Sequence, residues 1–505
     1  MFKQLKRLGA DTAVYGLSTI LGRFLNFLLV PFYTNVLLPG EYGIVAYAYS
    51  LIAFVTVLYA YGMESAYFKY ASSLERGTPE ENFSTPFWSM VVSSALFSAA
   101  VALLASPISG LIHLPAELER IVYYAAGILA LDAIAIVPFG ALRLQRKSRL
   151  FAAVKFLNIL VTVALNIVFL VGFRMGVEGI FVSGLAASLV TFLALVPTIR
   201  KNIVFKLDGP LWKSLLLFGL PGVPAGLAAM TMQVIDRPIL RSLTSDSVVG
   251  VYQANYRLGI FMMLVVQMFD YAWRPFYFTT AREPNAKEIF SRVLTYLVLF
   301  MAGVFLVLTF FIRDIVTINL FGRFIIAPAY WDGLAIIPVV LAGYVFLGIS
   351  TNLSAGFYIE KKTALLPVST FVGALVNVGA NLLLIPRFGM MGAAWATLFA
   401  YLAMAVSVYV LVERVYPVAY EFVRLGKIIA GVFVVMLLYM IWTPESPLAA
   451  FGVKLGLIVF FIVLMYVMKF FDQKELRFLQ RALGREGTVG REGTVGSPER
   501  ASPLE

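Results

Sequence analysis

The sequence predicts an all-α polytopic membrane protein of about fourteen transmembrane helices, arranged as two pseudo-symmetric six-helix bundles with two further helices at the C-terminal end. Three observations predict it. Of 505 residues, 60% are hydrophobic and only 13% charged, about half the charge of an ordinary soluble domain, and the mean hydropathy is +0.87. Apolar stretches of about 20 residues, the length needed to cross a bilayer as helix, recur along the chain. Basic residues gather in every second break between them.

The first six stretches centre near Phe24, Phe54, Ser94, Leu131, Val163 and Leu189, with polar breaks such as LPGEYG (Leu38 to Gly43), SSLERGTPEEN (Ser72 to Asn82) and RLQRKSR (Arg143 to Arg149). The next six centre near Leu227, Met262, Met301, Leu341, Val376 and Ala403, and the last two near Val434 and Phe460. With the N-terminus (Lys3, Lys6, Arg7) in the cytoplasm, the even-numbered breaks are cytoplasmic too. That side then holds about 29 of the 40 Lys and Arg, and an excess of this kind marks cytoplasmic loops. An even span count with both termini cytoplasmic follows. No cleavable leader is expected, because the first stretch is long enough to span and lacks a small-residue cleavage site after it. Beyond Lys469 the chain turns polar and repeats six residues (Arg485 to Gly490, Arg491 to Gly496) without an apolar face, so 472–505 reads as a disordered tail. The expected units are 1–206 and 207–424 for the bundles, 425–471 for helices 13 and 14, and that tail.

The composition also removes functions. Without cysteine and with His113 as the single histidine, there is no disulfide, no thiolate or paired-histidine metal site, and little scope for histidine acid/base chemistry. No outer break exceeds about 15 residues, too short for a catalytic domain above the bilayer. An enzyme is not expected, nor a cofactor or a nucleic-acid partner, since the positive charge lies on the membrane's inner side. Transport remains.

Transporters often consist of two similar bundles. Shifting the sequence by 207 residues places Pro31 on Pro238, Gly43 on Gly250, Tyr49 on Tyr256 and Leu51 on Leu258. Later in each half, Asn166 precedes Gly176-Val-Glu-Gly179 and Asn381 precedes Gly389-Met-Met-Gly392, an Asn within a helix followed by a G-x-x-G turn.

Ionisable residues within spans cost a few kcal/mol or more and are functional candidates by default. Arg23, near the middle of the first span with Asn26 close by, and Arg257, in the repeat-related hairpin of the second half, read as a pair facing a shared cavity. Arginine forks suit phosphate oxygens, so these two are the expected phosphate-binding residues, the alternative being structural partners for a carboxylate. Glu64 reads as an interfacial acid or a gate, and Asp132 as a partner of Arg23 or a proton acceptor; with Asn26 they form the expected polar and gating set. Lys155 is expected to snorkel to cytoplasmic water. Asp270 and Arg274, at i and i+4, read as a local salt bridge. Tyr47, Tyr49, Tyr252, Tyr256 and Trp273 read either as stacking surfaces for sugars or as packing. In the second half, Pro221 and Pro224 bend the seventh span and free carbonyls. Asp236, Asn377, Asn381 and Thr397 supply hard oxygens suited to a coupling ion, or else polar residues that bond neighbouring helices.

The first hairpin, GRFLNFLLVPFYTNVLLPGEYGIVAYAYS (Gly22 to Ser50), and NLLLIPRFGMMGAAWATL (Asn381 to Leu398) resemble the polysaccharide transporter family. These are flippases of lipid-linked oligosaccharides in the multidrug/oligosaccharidyl-lipid/polysaccharide flippase superfamily. The elements L-x-P-x-E-Y-G and N-x7-G-x2-G-A-A-x-A-T carry the resemblance, which runs over about residues 1 to 470. It implies a V-shaped pair of six-helix bundles around an aqueous cavity and alternating access driven by an ion or the membrane potential. The expected cargo is an isoprenoid phosphate- or diphosphate-linked oligosaccharide; membrane lipids and other envelope-assembly proteins are the expected partners. In the related peptidoglycan-precursor flippases a sodium site uses an acid on helix 7, an Asn and an acid on helix 11 and a Thr on helix 12. Here Asn381 replaces the second acid, which leaves Na⁺ and H⁺ both open as coupling ions. The rival functions are a drug or organic-cation antiporter of the same superfamily and a membrane-embedded glycan polymerase or ligase.

Overall fold

The computed structural model describes residues 22, 27–320, 322–442, 444, 446–473 and 475. Among the described residues twelve helices are long and apolar enough to cross a membrane. The described part of the first span is the helix α1 (Phe27–Val36). It is followed by α2 (Pro39–Ser73), α3 (Pro79–Leu103), α4 (Ala116–Leu144), α5 (Ser148–Gly172), α6 (Gly176–Asn202), α7 (Gly209–Val234), α8 (Asp246–Thr280), α9 (Ala286–Val316) and α10 (Pro328–Ile359). The 49-residue helix Leu365–Glu413 is two spans, because Gly389 breaks it with φ 54° and ψ −131°; α11 is 365–388 and α12 is 390–413. A chain of multiple membrane passes is the result, and each expected span centre falls on its own helix, the first excepted, since Phe24 lies outside the described residues.

The helix starts follow from their sequences. At LPGEYG, Pro39 opens α2, where its missing N–H costs nothing, and the Glu41 carboxylate accepts the Leu38 N–H at 2.8 Å. At the start of α3, Thr78 accepts from Glu81 N–H at 3.2 Å while Glu81 accepts from Thr78 N–H at 2.9 Å, a reciprocal capping box.

The repeat is visible in the backbone. Gly176 and Gly389, the first glycines of the two G-x-x-G turns, both have positive φ, 56° and 54°, a conformation that favours glycine. The second glycines press on the preceding helix, Gly179 on the Leu170 side chain and Gly392 on the Leu384 backbone. Asn166 and Asn381 each donate to the carbonyl of the residue four before, Thr162 and Asn377. A Cβ at Gly392 would stand 2.5 Å from Leu384 C and O, which cannot yield as a side chain does. Gly392→Ala is therefore expected to destabilise by at least the roughly 1–3 kcal/mol of ordinary overpacking. Gly379→Ala, with nothing within 4 Å, is expected to be neutral or slightly stabilising, and thermal unfolding in detergent compares the two.

The basic loops mark one end of the spans, called here the basic end, and the other is the neutral end. One apolar cluster joins both bundles, and it includes Val45 and Ala46 of α2 with Val249, Tyr252 and Leu341. Toward the basic end the cores are separate: one within the first bundle, around Tyr67, Phe87 and Leu142, another within the second, around Trp273, Tyr277 and Phe290.

α7 belongs to both bundles. It starts on the Asp208 cap, whose carboxylate accepts Leu211 N–H at 2.6 Å, and its first part, Gly209–Gly219, gives Leu211 and Leu215 to the core of the first bundle. Trp212 Nε1 donates to Ser89 of α3 at 2.8 Å. At Leu220–Gly222 the helix tightens to a 3₁₀ turn, and its second part, Val223–Val234, packs on 365–413. The prolines thus break the seventh span where the sequence places them, and the packing boundary between bundles lies near Gly222.

The chain divides into two units between Glu421 and Phe422. In the second unit, α13 (Phe422–Ile441) and α14 (Pro447–Val467) pack through Gly431, which lies against Met465 and Phe461. Arg424 pairs with Asp472 and Glu475 at 3.1 and 2.8 Å. The duplicated hexapeptide lies outside the described residues.

Candidate functional site: a charged cavity beneath a closed end

A cavity of about 560 Å³ runs through the first bundle and is closed on one side by α8. Helix α8 tightens to a 3₁₀ turn at Arg257–Gly259, where Arg257 is exposed to the cavity. Tyr33, Tyr42 and Tyr49 line the same part and interact electrostatically with Arg257. Among the described residues Arg257 makes no ion pair and no hydrogen bond. Arg23 and Asn26, the other expected members of this cluster, lie outside the described residues.

Farther along, Asp132 of α4 accepts a hydrogen bond from Ser188 Oγ at 2.7 Å. Lys155 of α5 lines the cavity with its Nζ 4.3 Å from the centre of the Phe139 ring. This corrects the expectation that Lys155 snorkels to the cytoplasmic surface. Asn158 and Thr162 share its face, and Asn158 Nδ2 donates to Thr191 Oγ1 at 2.9 Å. The signal was present in the sequence: Lys155, Asn158, Thr162 and Asn166 stand at i, i+3, i+7 and i+11, one stripe of a helix. At the basic end Glu64 and Arg143 meet at 2.7 Å, each about half exposed (52% and 47%). Glu64 is thus an acid with a cross-helix partner at the cavity's rim. Of the five aromatics weighed as sugar-stacking surfaces, Tyr49 alone lines this cavity. Tyr252, Tyr256 and Trp273 are buried among other residues, and Tyr47 lies under Arg241, 4.2 Å from its guanidinium carbon. They pack; no spacing in the sequence shows which face each takes.

The neutral end is shut by the repeat-related hairpins. A Cβ at Gly43 would lie 1.8 Å from Asp246 O, and one at Gly250 1.9 Å from Pro39 O; both pairs of positions are related by the 207-residue shift. Around this crossing, Tyr330 Oη donates to Leu37 O at 2.9 Å and Asn35 Nδ2 to Phe324 O at 2.9 Å. Arg241 holds Asp246 at 2.6 Å and donates to the carbonyls of Ile112 and His113 at 2.7 and 2.9 Å. The lone histidine contributes only its carbonyl to this bond.

The expected ion-coupling residues lie inside the second bundle. Asp236, Asn377, Asn381 and Thr397 are all buried. The Asp236 carboxylate is held by Arg237 Nη1 and by Tyr252 Oη, both at 2.5 Å, and Thr397 meets the Tyr252 phenol. Arg237 also donates to Gln233 O and to Gln253 of the cavity wall, at 2.6 and 3.0 Å. Asn381 Nδ2 donates to Asn377 Oδ1 at 2.8 Å, and its own Oδ1 is buried without a partner among the described residues. Among the described residues no three His, Cys, Asp or Glu cluster as for a metal. Breaking a buried pair leaves an uncompensated charge, at a cost of about 3–5 kcal/mol. Arg237→Gln is accordingly expected to lower the melting temperature sharply, and the double variant with Asp236→Asn to recover most of it. Asp270 and Arg274 do form the expected i, i+4 bridge, at 2.8 Å.

Two facing helical bundles, a polar cavity at membrane depth and a closed seam between repeat-related hairpins are the architecture of a membrane transporter. The chain belongs to the polysaccharide biosynthesis protein family, whose model matches residues 8–280. No curated protein matches it in sequence. Among solved structures it is similar to the lipid II flippase MurJ in an inward closed conformation, with TM-score 0.70, 13% identity, 90% of this chain and 98% of that one covered. It is also similar to the MATE multidrug transporter DinF-BH (TM-score 0.61, 16%, 81% and 95%). A third is a multidrug resistance MATE family transporter of the MOP superfamily in an inward-facing conformation (0.55, 16%, 80% and 94%). At such identities these likenesses concern the fold.

Proposed function

We propose that the protein is a flippase, moving an isoprenoid phosphate- or diphosphate-linked oligosaccharide across the cytoplasmic membrane by alternating access, with no catalytic step. The observation that carries this reading is Arg257: a guanidinium at membrane depth, exposed to a cavity and ringed by tyrosines, with no acid paired to it among the described residues. An unpaired intramembrane cation is costly, and a phosphate oxyanion offsets that cost through charge-assisted hydrogen bonds. Membership of a polysaccharide biosynthesis family supports a glycan cargo. The basic end is assigned to the cytoplasm from loop charge, which puts both termini there and makes the closed end extracytoplasmic. The lipid tail stays in the bilayer, and other envelope-assembly proteins act before and after this step.

The drive is a monovalent cation, Na⁺ or H⁺, taken up at Asp236, Asn377, Asn381 and Thr397. In the state seen here Arg237 holds Asp236, so uptake requires that arginine to move. Proteoliposomes loaded with a fluorescent prenyl-diphosphate oligosaccharide test the proposal. The expected result is label reaching the opposite leaflet faster with protein than without, and faster again under an imposed Na⁺ or pH gradient. A protein that leaves the lipid in place but exports an organic cation against either gradient is a drug antiporter of the same fold.

A further inference from the structure

The cavity has two chemically different ends, and the flippase reading assigns a role to only one. Arg257 and its tyrosines make the first. The second is a wall of α4, α5 and α6, where Asp132 and Lys155 interact electrostatically and neither makes an ion pair within 4 Å among the described residues. Ser188 fixes one Asp132 oxygen and leaves the other as an acceptor. Asn158, its amide N–H engaged by Thr191, presents its carbonyl oxygen as another. Tyr49, stacked on Phe181 at 5.0 Å, lines the same cavity and interacts electrostatically with both Arg257 and Asp132. Acceptors for hydroxyl groups, an ammonium without an ion pair and an aromatic edge are a poor site for a second phosphate, because its oxyanions bring no donors for Asp132 and Asn158. They are a good site for a sugar, whose many hydroxyls need acceptors and whose orientation a few placed polar groups can fix.

We propose that Asp132, Asn158 and Lys155 form a glycan subsite, separate from the anion site at Arg257, which takes sugar hydroxyls on Asp132 and Asn158 and an acidic sugar's carboxylate on Lys155. The preferred cargo is then a lipid-linked glycan with a carboxylated sugar close to the phosphate. The inference rests on the flippase reading and deepens it.

Binding to purified full-length protein is measured with three probes: geranylgeranyl diphosphate, the same lipid carrying a neutral disaccharide, and the same lipid carrying a disaccharide with one glucuronic acid. Wild type is expected to bind the glucuronate lipid at least about tenfold more tightly than the bare one. Asp132→Asn, nearly isosteric, is expected to weaken both glycan lipids by tenfold or more and to leave the bare lipid within twofold. Lys155→Gln is expected to weaken the glucuronate lipid selectively. Melting temperatures equal to wild type confirm that both variants are folded; should either be unfolded, Asn158→Ala replaces it with the Asp132→Asn expectation. If the bare lipid binds and the sugars add nothing, or if each variant weakens all three probes alike, the subsite is overturned while the phosphate site stands. If wild type binds none of the three, the flippase reading itself fails.

Discussion

Arg257→Ala loses transport of a prenyl-diphosphate oligosaccharide by at least ten- to a hundredfold while its melting temperature stays within a degree or two of wild type. The size follows from the bonds that alanine cannot make: charge-assisted hydrogen bonds contribute about 1.5–3 kcal/mol each, and a guanidinium offers a phosphate two in parallel. The stability follows from the structure, where Arg257 makes no ion pair with any described residue and faces the cavity. Arg257→Lys is expected to recover only part of the activity, since an ammonium keeps the charge without the fork. A lysine variant as active as wild type would reduce the role of Arg257 to net charge. An alanine variant that transports normally would remove the basis of the phosphate site.

Gly250→Ala is expected to be equally damaging for a different reason: it prevents closure of the neutral end. The added methyl would lie 1.9 Å from Pro39 O and 2.8 Å from Pro39 C, so the two hairpins have to separate before the side chain fits. The penalty falls on the closed state alone. Even about 3 kcal/mol, the upper part of the ordinary overpacking range, shifts an open–closed equilibrium by more than about a hundredfold. Because the chain contains no cysteine, Val45→Cys in the cavity wall is a clean reporter. In right-side-out vesicles, a membrane-impermeant maleimide is expected to label it slowly in the closed protein and at least about tenfold faster with Gly250→Ala. Equal labelling rates would show that the seam is not the gate. Gly43→Ala gives the same expectation through the Asp246 carbonyl, whose oxygen lies 1.8 Å from the point a Cβ would occupy.

These glycines also show what the sequence made legible. The span pattern is a one-dimensional property, set by hydropathy and loop charge, and it located the helices of both bundles. The repeat was visible as Gly43 over Gly250 and as two G-x-x-G turns because backbone crossings and positive φ exclude larger residues at those positions. Side-chain direction was harder. Arg257 could be placed by depth alone, since an arginine in mid-membrane needs a polar surrounding. Lys155, also in a span, was close enough to the surface for snorkelling to account for it, and only the stripe with Asn158 and Thr162 argued otherwise. Asp236 was legible as buried and acidic, yet its next neighbour in sequence, Arg237, turns back to neutralise it. That choice depends on Tyr252, Gln253 and Gln233 in three dimensions, which spacing does not encode.

The passage of α7 from one bundle into the other bears on how the protein is made. Membrane helices are delivered in sequence order, and the six preceding spans leave the ribosome before Leu211 and Leu215 exist. Until the seventh span arrives, the seam they fill in the first bundle is open to lipid or to whatever chaperone guards it. A nascent chain stalled at residue 206 would therefore be a lure for wrong helix partners and for membrane proteases, whereas one stalled past Gly222 carries its own closing strip. Two separately translated halves would be expected to assemble only when the cut leaves that strip with the first.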